Sequence, residues 1–485
     1  MSLKGQAVKG VMWNAIERFS TQGIQFILTI IIARLLSPDD YGLIAMLGIF
    51  MAIAQTFIDS GFGNALIQKQ DRTEADYSTA FYFNIIVAVA FYLLFFFLAP
   101  WIASFYEQPE LVTISRVYFI ALIINSFATV QVARFSILLD FKKMAQASLC
   151  AVVLGGGVGI YMAYNGTGAW AIVGQSLTTS LLWTVVLWFL SAWQPQRRFL
   201  KSSFRSLFCF GSKLLFSNLL HTLYNNIYSL IIGKYFGAVE LGYFNRSYTL
   251  SQFPVQNFGN IVQKVLYPVQ CRYQNDGEKF NQIFILYLRL SSYILFPIMV
   301  ALSALAYPVI QLILTDKWLP AAPLLQIISI SMMWFPIMQA NVLVLDAKGR
   351  SDYHLYSEIV KKILAVIILL VSMRLGIYGV CWGLLVYSFV DMAVVIAFSR
   401  RLTGIGYRGH FFILAPVTLV SLIMWGGIWL LTSDITVPSL SILVGICTGT
   451  ILFVSMSYVF RLKSMRVLVS FAKGKGDWTE FKDKM

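Results

Sequence analysis

Long apolar runs follow one another through almost the whole chain, at 11–36, 41–67, 79–100, 112–138, 145–164, 168–191, 207–234, 240–270, 283–307, 321–346, 355–374, 376–399, 411–432 and 438–460. A helix of ~20 residues crosses the ~30 Å hydrocarbon core of a bilayer. Backbone N–H and C=O groups find no water there, so a run of this length satisfies them as a helix. The chain is 58% hydrophobic and 12% charged, whereas soluble proteins carry roughly 25% charge. No connecting stretch is long enough for a sizeable soluble domain. The expected fold is all-α and integral to the membrane, with about fourteen transmembrane helices.

Charge gives the sidedness. An even number of spans puts both termini on one side. Of 37 Lys and Arg, 27 fall on the ends and the even-numbered connections, Lys361 and Lys362 among them. Six fall opposite: Arg34, Arg116, Lys234, Arg246, Lys317 and Arg374. An excess of that size marks the cytoplasmic side, so both termini are expected in the cytoplasm. The net charge of +15 then reads as topology and contact with anionic lipid, not as nucleic-acid binding. The first run is long, polar-striped and without a small-residue cleavage site, so it is expected to stay in the mature protein. Cys150, Cys209, Cys271, Cys381 and Cys447 are scattered without metal or redox spacing and read as packing residues.

The first span carries a polar stripe. Asn14, Arg18, Thr21, Gln25 and Thr29 recur at helical spacing on one face. Two hundred residues later Asn218, His221, Asn225 and Ser229 stand in register with Arg18, Thr21, Gln25 and Thr29. Both stripes lead into similar ends, Asp40-Tyr41-Gly42 and Glu240-Leu241-Gly242. A polar face in hydrocarbon looks at protein or water. A duplicated membrane protein with a wet path is the outline of a transporter. The basic, Pro195-containing stretch 192–206 divides an N-lobe (1–191) from a C-lobe (207–400), with two further spans and a basic cytoplasmic tail in 401–485. Six spans precede the break, so the two six-helix lobes are expected to be parallel repeats about an axis along the membrane normal.

Several segments resemble the Wzx/TuaB-type polysaccharide flippases of the MATE-like superfamily. The likeness runs through Ala33-Arg34-Leu35-Leu36-Ser37-Pro38-Asp39-Asp40-Tyr41-Gly42-Leu43, Gly61-Phe62-Gly63-Asn64-Ala65-Leu66-Ile67-Gln68 and Gly168-Ala169-Trp170-Ala171-Ile172-Val173. It continues in Leu241-Gly242-Tyr243-Phe244-Asn245-Arg246, Leu266-Tyr267-Pro268-Val269, Lys317-Trp318-Leu319-Pro320-Ala321-Ala322 and Gly349-Arg350-Ser351-Asp352. The resemblance covers about residues 5 to 400. It implies a two-lobed bundle in the bacterial inner membrane. Such a bundle moves polyprenyl-diphosphate-linked oligosaccharide to the periplasmic leaflet for lipopolysaccharide, capsule or exopolysaccharide, alongside other polysaccharide-assembly membrane proteins.

Such a substrate needs cations for its diphosphate and hydrogen bonds for its sugars. Guanidinium suits phosphate through its planar fork. The membrane-depth candidates are Arg18, Arg289, Lys213, Arg134, Arg246 and Lys264. For Lys213 the competing reading is snorkelling, and for Arg134 an anchor at a helix end. Asn14, Gln25, Asn218, His221 and Asn225 are candidates for sugar contacts, against ordinary interhelical polar packing. Glu17, Asp59 and Asp391 are candidates for coupling to Na⁺ or H⁺; no metal site or cofactor is expected. Gly155-Gly156-Gly157-Val158-Gly159 lacks the Lys-Ser/Thr of a phosphate loop and reads as a helix-packing surface. A multidrug or cation antiporter of the same superfamily is the nearest alternative, but basic residues outnumber acidic ones at membrane depth. A glycan polymerase or glycosyltransferase would show a large extramembrane loop or an Asp-x-Asp motif, and the chain has neither.

Overall fold

The computed structural model describes residues 20–59, 62–191 and 193–466. All regular structure among them is helical. The first helix is α1 (Ser20–Leu35). It is followed by α2 (Pro38–Asp59), α3 (Phe62–Gln68), α4 (Glu74–Tyr106), α5 (Leu111–Tyr118), α6 (Ile120–Ile137), α7 (Phe141–Tyr164), α8 (Trp170–Leu190) and α9 (Lys201–Arg272). Next come α10 (Gly277–Ala304), α11 (Ala306–Leu314), α12 (Ala321–Met332), α13 (Phe335–Ala347), α14 (Ser351–Ser372), α15 (Gly376–Thr403), α16 (Tyr407–Thr432) and α17 (Pro438–Val459).

Among the described residues, ten helical stretches are long and apolar enough to cross a membrane. One of them, Ser351–Thr403, is 53 residues long, enough for two crossings of ~20 residues each. It turns at Gly376, whose φ is 78°. α9 is not among the ten. Its 72 residues break at Gly237 (φ 86°, ψ −179°), a conformation glycine adopts without a Cβ penalty. The break separates the two most polar of the expected runs, 207–234 and 240–270.

Contacts divide the chain into two compact units, Met1–Gly242 and Tyr243–Met485. The boundary follows the Gly237 break. The first half of α9 is bonded into the first unit. Thr222 Oγ1 lies 2.9 Å from Thr56 Oγ1, and Lys234 pairs with Glu107 at 3.0 Å. The basic stretch is docked rather than free. Trp193 is buried and donates from Nε1 to Glu74 Oε2 at 2.7 Å. The Gln196 and Leu200 amides donate to Ser78 Oγ and Thr79 Oγ1.

In the first unit the Ser37-Pro38-Asp39-Asp40 segment starts α2 with a capping box. The Ser37 amide donates to Asp40 Oδ2 at 2.9 Å, and the Asp40 amide donates to Ser37 Oγ at 3.2 Å. Pro38 takes the first helical position, where its missing N–H costs nothing. Tyr41 Oη donates to the Thr29 carbonyl of α1 at 3.3 Å. α7 and α8 pack through small residues. A Cβ on Gly155 would lie 2.0 Å from Thr179 Oγ1, and one on Gly159 would lie 2.8 Å from Gln175 Cβ. Close packing is thus the role of the Gly155–Gly159 run. In the second unit Phe284, Phe296 and Trp334 centre a core to which α16 adds Val417, Val420, Met424 and Ile428, and α17 adds Phe453.

Gly155→Val forces overpacking at the α7–α8 contact and is expected to cost about 1–3 kcal/mol, seen as a lower denaturation midpoint in detergent. Gly157→Val faces open space and is expected to leave the midpoint in place. Equal losses in the two variants would refute this account of the glycine run.

Candidate functional site

Polar side chains in the first unit gather where α2 ends. Gln55 and Asp59 are one helical turn apart, and Gln55 Nε2 donates to Asp59 Oδ2 at 2.8 Å. Asp59 is exposed, and among the described residues it takes part in no ion pair. Both residues line an open cleft of about 460 Å3, together with Asn64 of α3, Asn125 and Thr129 of α6 and Trp183 of α8. Ile67 and Val132 add apolar surface, and the small residues Gly63, Ala128 and Ala133 leave the space. Amide and hydroxyl groups beside an indole face form a surface that can bond hydroxyls and cover an apolar ring edge.

The first half of α9 presents the second polar strip. Asn218, His221 and Asn225 are all exposed, and Asn225 Nδ2 lies 2.8 Å from His221 Nε2. On the adjoining face Thr222 meets Thr56 of α2. Asp59 lies one turn beyond Thr56, and Asn218 lies one turn before Thr222. The two helices run in opposite directions, so these groups share about one depth. Gln25 on α1 is exposed as well, while Thr21 Oγ1 lies 3.3 Å from Ser148 Oγ. Asn14, Glu17 and Arg18 lie outside the described residues, as does the side chain of Lys213.

In the second unit Arg289 sits in the middle of α10, about 18 Å along the axis from Gly277 at 1.5 Å per residue. It is half-buried, and among the described residues its guanidinium takes part in no ion pair. An uncompensated Arg at such depth costs at least ~2.5–3.5 kcal/mol. Other candidates are matched by neighbours. Arg134 lies over the rings of Tyr77 and Trp193 at 5.4 and 5.6 Å, which fits an anchor in the aromatic core better than a substrate contact. Arg246 is half-buried on α9 and engaged by another residue. Lys264 is exposed on the same helix.

Asp391 is paired. Lys361 Nζ lies 3.3 Å from Asp391 Oδ1 and also contacts Glu358, and the Lys361 side chain is only 8% exposed. Lys361 therefore belongs to a buried cluster joining α14 to α15. Asp391 is consequently a weaker coupling candidate than Asp59. Sequence reasoning missed Lys361 as the partner of Asp391. The available signal was a cation and an anion set at similar distances from the turn of one helical hairpin. It also missed Gln55, Asn64, Asn125 and Thr129, whose signal was polarity inside apolar runs. Among the described residues no group of three or more His, Cys, Asp or Glu is placed to hold a metal ion.

Residues 31–323 match the family described as polysaccharide biosynthesis protein. The chain is 26% identical over 400 residues to the teichuronic acid biosynthesis protein TuaB of Bacillus subtilis, covering 81% of this chain and 82% of that protein. It is 22% identical over 432 residues to the lipopolysaccharide biosynthesis protein WzxC of Escherichia coli, covering 87% and 88%. Its fold is similar to that of the lipid II flippase MurJ in an inward closed conformation, with TM-score 0.74 and 14% identity over 93% of this chain and 98% of that one.

Removing one partner from the Lys361 cluster leaves buried charge uncompensated. Lys361→Met is expected to destabilise the protein by about 3–5 kcal/mol, and adding Asp391→Asn is expected to restore much of that loss. Thermal denaturation of the purified protein reads both. A double variant no more stable than the single one would contradict the pairing.

Proposed function

The chain belongs to the polysaccharide biosynthesis protein family, and from that premise we propose that it is a flippase. It carries polyprenyl-diphosphate-linked oligosaccharide from the cytoplasmic to the periplasmic leaflet of the bacterial inner membrane. It is a multi-pass membrane transporter, not a catalyst. The observation that carries the substrate class is Arg289, a half-buried cation in mid-helix without an ion-pair partner among the described residues. A diphosphate offsets the cost of such a charge through paired, charge-assisted hydrogen bonds. The uncharged groups around Gln55, Asn64, Asn125, Thr129 and Trp183 suit sugar hydroxyls and ring faces. The names and matched lengths of TuaB and WzxC support the same reading.

The topology proposed with it has fourteen spans, formed by two parallel six-span repeats and two C-terminal spans, with both ends in the cytoplasm. Arg18, Lys213, Arg246 and Lys264 are further proposed diphosphate contacts, and Gln25, Asn218, His221 and Asn225 further sugar contacts. Asp59 is the proposed coupling group, because it is an exposed carboxylate with an amide neighbour and, among the described residues, no ion-pair partner.

Reconstituted protein is expected to exchange a labelled lipid-diphosphate oligosaccharide between leaflets. Arg289→Ala is expected to slow exchange at least about tenfold, equivalent to ~1.4 kcal/mol, with Arg289→Lys recovering only part because it lacks the fork. Asp59→Asn is expected to abolish any response of exchange to a proton or sodium gradient. Transport of organic cations without lipid exchange would replace this reading with the antiporter one.

A further inference from the structure

The residues that open α2 are echoed where α9 resumes after Gly237, and the two copies touch. A Cβ on Gly42 would lie 1.8 Å from the Ala238 carbonyl oxygen, and a Cβ on Gly242 would lie 2.0 Å from the Pro38 carbonyl oxygen. Gly42 corresponds to Gly242, and Pro38 to Ala238, under the same 200-residue offset that aligns the polar stripes. The contact is therefore reciprocal. A repeat meets its own counterpart at equivalent positions only on the axis that relates the repeats. For parallel repeats that axis runs along the membrane normal, in line with the transport path.

The chemistry of the contact fits a closure that must reopen. With a C–C bond of ~1.5 Å, each glycine Cα sits within about 3.5 Å of the opposing oxygen. Such Cα–H···O contacts are individually weak, yet the approach leaves no room for any side chain. Gly233 adds a similar contact, since a Cβ there would lie 3.0 Å from Tyr106 and 3.2 Å from Met46. The neighbouring Lys234–Glu107 pair is solvent-accessible, with the Glu107 side chain 82% exposed, and pairs of that kind stabilise little. The segment is tight in shape and light in energy. Arg34 and Lys234 border it and belong to the charge-poor side, opposite the termini.

We propose that Gly42 and Gly242 form the extracytoplasmic gate of this transporter, sealing by backbone contact and parting when the carrier opens outward. The proposal rests on the flippase reading and its topology. Ala238 is 3% exposed, so Ala238→Cys in a chain whose five native cysteines are replaced by serine reports on the seal. A membrane-impermeant maleimide is applied to the outer face of cells and of oriented liposomes. In the parent, labelling is expected to be slow at rest and to rise several-fold when lipid-linked oligosaccharide is supplied. Gly42→Ala or Gly242→Ala is expected to give fast labelling without substrate and at least tenfold slower leaflet exchange. Gly48→Ala, on the same helix with nothing within 4 Å of its Cβ, is expected to match the parent. Parent-like exchange in Gly42→Ala, or slow labelling in that variant, overturns the gate. If Gly42→Ala fails to fold, the parent reporter decides, because labelling that does not rise during exchange also overturns it. A parent that exchanges no lipid but shows the Gly42→Ala labelling contrast keeps the seal and sinks the flippase reading instead.

Discussion

Hydrocarbon supplies neither hydrogen-bond partners for a backbone nor a hydrophobic drive to bring two apolar helices together. The first condition makes every described element helical. The second makes packing depend on how closely helices approach. Glycine therefore appears where helices touch: Gly155 and Gly159 of α7 against Thr179 and Gln175 of α8, Gly383 of α15 against Ser372 of α14, and Gly445 of α17 against Leu305. Buried hydroxyls add local bonds. Ser291 and Ser292 donate to carbonyls one turn back in α10, and Ser399 reaches Asn341 at 2.6 Å across α15 and α13.

The same solvent sorts the charges. A charge that serves the fold is answered by the fold. Arg134 lies among aromatic rings, Lys361 sits between Glu358 and Asp391, and Lys69 reaches the buried Asp76 at 2.9 Å. Each of these would be costly alone, and each has its partner within its own unit. Arg289 and Asp59 differ in having no opposite charge beside them among the described residues. That isolation is the ground on which an anion is proposed for Arg289 and a cation or proton for Asp59. Such a distinction rests on pairing and not on depth, since Asp391 in the middle of α15 is paired whereas Arg289 in the middle of α10 is in no ion pair among the described residues.

Much of the fold was legible because membrane spans announce themselves by length and apolarity. The packing role of Gly155 and Gly159 followed from their apolar setting. The docking of the basic stretch was not legible: Trp193 is a buried side chain that binds Glu74, a contact 119 residues away in sequence. The polar strip of α9 was legible as a periodicity, and Asn218, His221 and Asn225 do share an exposed face. The cleft at Asp59 was half legible. Its carboxylate stood out, while Asn125 and Thr129 come from α6 and carry no local mark of what they face. The pairing of Lys361 with Asp391 was not legible, because only the helix phase distinguishes the inward residue from Lys362 beside it.

Duplication carries a steric consequence of its own. The contact is made twice, Gly42 against Ala238 and Gly242 against Pro38, so any bulk there is counted from both sides. At Gly42 and Gly242 the backbones approach until only hydrogen fits, and the sequences around them are free to differ: Asp40-Tyr41 in one copy, Glu240-Leu241 in the other. Two further constraints hold the copies in place without filling the contact. Ser37, Pro38 and Asp40 fix the start of α2 through its cap, and Gly237 fixes where α9 resumes through a backbone angle other residues avoid. Each segment thus has its own local support and meets the other through weak contacts. Faces joined by weak contacts separate as whole surfaces, with little cost per contact and no loss of helix, which is the mechanical property the proposed gate needs.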